Sequence, residues 1–156
     1  MPPALLFIAL GLALTFAPRG AWVPSLLALA ATLGAFSSWS VPPVWVEGVF
    51  LGCWISVIAT ALSVHLGRRL TRTAALVSSL NAGVWASAVA SMSGSRLDLL
   101  RALPCVLIFL PASWVTGRHT SIPVKVVSSW VIAVALLAAI LQFVPVTPGY
   151  LPDHME

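Results

Sequence analysis

Six long apolar runs, with no Asp, Glu, Lys or Arg in the middle of any of them, divide this chain of 156 residues. Runs of that kind suit a hydrocarbon solvent, where every backbone amide must be satisfied inside its own segment, as a helix does. Composition agrees: 60% of the residues are hydrophobic, 8% are charged and the mean hydropathy is +1.03, far from the usage of soluble domains. The chain therefore reads as an all-α integral membrane protein, a polytopic bundle of six transmembrane helices.

The expected spans are 3–17, 21–38, 44–66, 73–93, 99–116 and 126–144, followed by an extended proline-rich tail over 145–156. Each break has a local cause. Pro18-Arg19-Gly20 and Pro42-Pro43 cannot continue a helix interior, and the stretch from His65 to Arg72 is the densest charge cluster in the chain. The first two runs are short for a bilayer that needs about 20 residues, so they also suit a short hairpin. Pro3–Ala17 has the length of a secretory signal. No Lys or Arg precedes it, however, and Pro18 would follow the cut, so it reads as a retained span.

Between Thr73 and Ser95, Ala74, Ser78, Ala82, Ala86, Ala90 and Gly94 recur every fourth position, and Ala75, Ser79, Gly83, Ser87, Ser91 and Ser95 form a second row. Small side chains let helices approach closely in lipid, where burying apolar surface brings no net gain. The fourth span is thus expected to be central. Gly48, Gly52, Ser56 and Thr60 present a partner face on the third span, so Gly48, Gly52, Ser56, Ala82 and Gly83 are the candidate packing residues and spans three and four a tight pair. Pro104 and Pro111, seven residues apart, predict a kinked fifth span.

Orientation follows from basic residues in alternating links. Arg19, then Arg68, Arg69 and Arg72, then Arg118 and Lys125 fall on one side, against Arg96 and Arg101 on the other. The richer side is expected in the cytoplasm, with both termini outside, in a plasma membrane of the bacterial inner type. The net charge of +4 is spread over these links, which speaks of topology and against nucleic acid.

Asn81 lies near the middle of its span with Trp85 one turn on, and is a candidate for a pathway or for a hydrogen bond between helices. Gln142, near the outer end of the last span, is a weaker candidate of the same kind. Glu47 and His65 read as boundary residues able to turn inward. Cys53 and Cys105 stand alone in apolar runs, so neither a metal nor a redox pair is expected, and no cofactor is expected either. The three His and four acidic residues lie mostly at boundaries, which argues against an enzyme. Trp39-Ser-Val-Pro-Pro-Val-Trp45 resembles the W-x-x-P-P-x-W loop of the tryptophan-rich sensory proteins. The match covers only seven residues, an extra span and missing aromatic positions separate the two patterns, and no binding residue is carried over.

The expected function is a transport or permeation component for a small solute, acting in the lipid bilayer as a homo-oligomer or with other membrane subunits. The rival expectation is a non-transporting subunit that anchors or assembles a larger membrane complex.

Overall fold

Charge-free runs become helices and the breaks become links. A computed structural model describes residues 2–36, 42–66, 70–93, 96–118 and 121–144. The helices are α1 (Pro2–Leu14), α2 (Arg19–Ala35), α3 (Val46–Ser63), α4 (Arg72–Ser93), α5 (Arg96–Ala102), α6 (Phe109–Arg118) and α7 (Ile122–Leu141), with 3₁₀ turns over Pro43–Trp45 and Leu103–Ile108. The described residues contain no strand. Arg68, Arg69, Trp39, the end of the second expected span at 37–38, Gly94 and Ser95 of the two small rows, and the tail over 145–156 lie outside the described residues.

Three helices are long and apolar enough to cross a membrane: Val46–Ser63, Arg72–Met92 and Ile122–Leu141. The start of α4 is capped by Thr71, whose Oγ1 accepts from the Ala74 amide at 3.2 Å, satisfying one of the amides that a helix start leaves without partner. Lys125 stands inside α7 and not in the link before it. Pro123 in the first turn, with its fixed φ, lets the helix begin earlier than the charge pattern suggests.

The core is α1. Leu6, Phe7, Leu10 and Leu14 are wholly buried, and α1 packs against α3, α4, α7 and the Leu103–Ile108 stretch. The expected close packing of α4 stands beside it, since α4 packs against α1, α2, α3 and α5. Large side chains on α1 fill the middle of the bundle, while the small residues of α4 let α2 lie close, and α2–α4 is the most extensive helix pair. At 1.5 Å per residue, α1 is about 20 Å long. Such a helix is too short for a bilayer core of about 30 Å, and enclosure by its neighbours spares it that requirement. The outer surface is apolar, with Leu27, Ile55, Val77, Leu110, Trp130 and Leu137 all exposed. So much exposed apolar surface is what lipid covers and water does not tolerate.

The fifth run is broken into two α-helices. Pro104 has no amide hydrogen and crowds the preceding turn, and the backbone passes through the 3₁₀ stretch Leu103–Ile108 between α5 and α6. That stretch rests on α1 at Gly11, where a β-carbon would stand 2.6 Å from both the Val106 carbonyl oxygen and Ile108 Cγ2.

The basic links meet at one end of the bundle. The Leu70 amide donates to the Phe16 carbonyl at 3.1 Å. A cleft of about 690 Å³ there is lined by residues including Thr15, Arg19, Thr71, Thr116 and Ser121, from the links after α1, α3 and α6 and the helix ends beside them.

Candidate functional site

Asn81 is nine residues along α4 from Arg72, hence about 14 Å from its start, a depth at which an amide must find partners within the protein. It finds two. Asn81 Nδ2 donates to the buried Ser56 hydroxyl on α3, and Trp85 Nε1 donates to Asn81 Oδ1 at 3.1 Å. The i, i+4 spacing puts Asn81 and Trp85 on one face of α4. The Trp85 ring occupies the space where a side chain on Gly52 would stand. Asn81, Trp85, Ser56 and Gly52, singled out separately in the sequence, thus form one seam between α3 and α4.

Two expected packing residues behave otherwise. Gly83 turns toward α2, and Thr32 fills the space beside it, its own hydroxyl donating to the Leu29 carbonyl at 2.8 Å. With 3.6 residues per turn, neighbouring small rows on α4 point to different partners, and only the face of Asn81 and Trp85 reaches α3. Gly48 meets nothing within 4 Å of where its β-carbon would be. Ala82 is fully buried.

A second polar seam joins α3 to α7. Ser128 Oγ donates to the Ala61 carbonyl at 2.8 Å, and Ser129 Oγ lies 3.3 Å from His65 Nε2. The signal that could have revealed it is the Ser128-Ser129 pair, the only adjacent serines in the last apolar run.

Gln142 is exposed at the C-terminal cap of α7. With Glu47, Gly48, Phe50, Leu51, Val46 and Phe143 it lines a cleft of about 500 Å³ at the end where α3 begins. Three of the described basic residues stand at the other end: Arg72 opens α4, Arg118 closes α6 and Lys125 lies in the first turns of α7, whereas Arg96 and Arg101 lie on α5, which follows the far end of α4. Cys53 and Cys105 are free thiols. Among the described residues, no group of three His, Cys, Asp or Glu is placed to hold a metal ion.

Fold and seams together define a helical protein with several elements apolar enough for a bilayer. No family model, curated protein or solved structure matches the chain.

Proposed function

We propose that the protein is a transport or permeation component for a small solute. All six apolar runs then pass the bilayer, α5, the 3₁₀ stretch and α6 forming one interrupted pass. The basic links face the cytoplasm and both ends of the chain lie outside, in a bacterial inner membrane. The gathering of the links after α1, α3 and α6 at one end supports this alternation.

The observation that carries the function is the break at Leu103–Ile108. Backbone that leaves the α-helical pattern at membrane depth is tolerated where protein buries it or where it borders a water-filled path, and transporters place their substrate sites at interrupted helices. Here the break leans on the core helix at Gly11, so a small movement of the fifth pass is transmitted directly to the middle of the bundle. No acidic or basic residue lies mid-run to couple ions, which favours passive permeation or help from a partner subunit.

The test is solute flux into proteoliposomes. Wild-type protein should conduct small solutes above protein-free vesicles, and Pro104→Ala, which lets the helix close, should reduce that flux. Flux no greater than the lipid background would end the proposal.

The second reading, a non-transporting subunit that anchors or assembles a larger membrane complex, draws on α7. Its outward row includes Val126, Trp130, Leu137 and Ile140, all exposed, and fits another helix as well as lipid. Native mass spectrometry from mild detergent separates the two, because stoichiometric foreign subunits would favour the assembly role.

A further inference from the structure

We propose that the cleft between the start of α3 and the end of α7 binds a small organic cation, a substituted ammonium group. The inference names a substrate class for the transport reading and rests on that reading only in calling the ligand a substrate.

Its lining is Val46, Glu47, Gly48, Phe50, Leu51, Gln142 and Phe143 around about 500 Å³. Among the described residues the lining contains one carboxylate, that of Glu47, and no Lys, Arg or His. Two phenyl rings flank it, Phe50 half-buried and Phe143 exposed. Aromatic faces attract cations through the ring quadrupole, and a carboxylate supplies the opposite charge. The Gln142 amide oxygen offers a further acceptor. Gly48 meets nothing within 4 Å of its missing β-carbon, which leaves space beside the carboxylate that a larger residue would occupy.

The same chemistry excludes other ligands. An anion would be repelled by Glu47. Calcium takes six to eight oxygen ligands, and the described lining supplies one carboxylate and one side-chain amide toward them. An ammonium with alkyl substituents uses both the charge and the rings. Two sources carry that group, a free amine in solution and the headgroup of phosphatidylethanolamine.

The experiment is the thermal transition of the detergent-purified full chain. It is titrated with tetramethylammonium chloride against sodium chloride, and separately with phosphatidylethanolamine against phosphatidylglycerol. The expected result is a rise with tetramethylammonium, its midpoint moved about tenfold higher in Glu47→Gln and in Phe143→Leu. A rise with phosphatidylethanolamine alone, lost in the same variants, assigns the site to a lipid headgroup. Equal responses in wild type and Glu47→Gln, or none to either probe, overturn the site. Both substitutions are at exposed positions, so folding is retained, and Gly48→Leu, which fills the cleft, provides an independent block. Binding without proteoliposome flux would sink transport and leave the site standing; flux without binding would do the reverse.

Discussion

The Trp85 indole on α4 occupies the space in which a side chain on Gly52 of α3 would stand. The two helices approach there because one residue is the largest available and the other has no side chain, a pairing that lipid cannot replace. Gly52→Val should expel the ring, which would also strain the bond from Trp85 Nε1 to Asn81. The expected cost is about 1–3 kcal/mol, the usual range for overpacking, read as a lower thermal transition in detergent.

Asn81→Leu removes the donor to Ser56 and the acceptor for Trp85. Hydrogen bonds between membrane helices average about 0.6 kcal/mol, so the pair should cost roughly 1 kcal/mol of stability. Because both ends of the amide are engaged, solute flux should persist. A variant of unchanged stability that lost flux would make Asn81 a lining residue instead.

Gly11 and Gly48 make a matched contrast. Gly11→Ala drives a methyl toward the Val106 carbonyl, backbone that cannot rotate aside, and should cost about 1–3 kcal/mol while reducing flux through the displaced fifth pass. Gly48→Ala meets open space and should change stability by no more than about 1 kcal/mol, in the stabilising direction expected of alanine in a helix. Parallel thermal transitions would decide both.

Single cysteines at Arg19 and Arg72, in a chain lacking Cys53 and Cys105, should react with an impermeant thiol reagent from the same side of intact membranes. Cysteines at Glu47 and Gln142 should react from the opposite side. Labelling of Arg72→Cys and Glu47→Cys from one face would contradict the alternating passes.

Helix placement was legible in the chain because each link carries a proline, a glycine or a charge that neither a helix interior nor a bilayer accepts. Thus α3 and α4 begin within about two residues of the expected bounds, a margin normal for helix ends. A disturbance of the fifth run could be anticipated from Pro104, as a kink and not as the break observed, and the Asn81–Trp85 face from its spacing. Partner choice could not. Small rows on α4 advertise that something packs closely, yet nothing local states that Gly83 meets Thr32 on α2 while Trp85 meets Gly52 on α3.

The enclosure of α1, the shortest of the six runs, and the lining of one cleft by Glu47 and Gln142 across 95 positions of sequence (142 less 47) were likewise decided only by the assembled bundle. In a lipid solvent every apolar face is equally content, so sequence sets where helices start and stop. Which of them touch depends on the fit of surfaces in three dimensions.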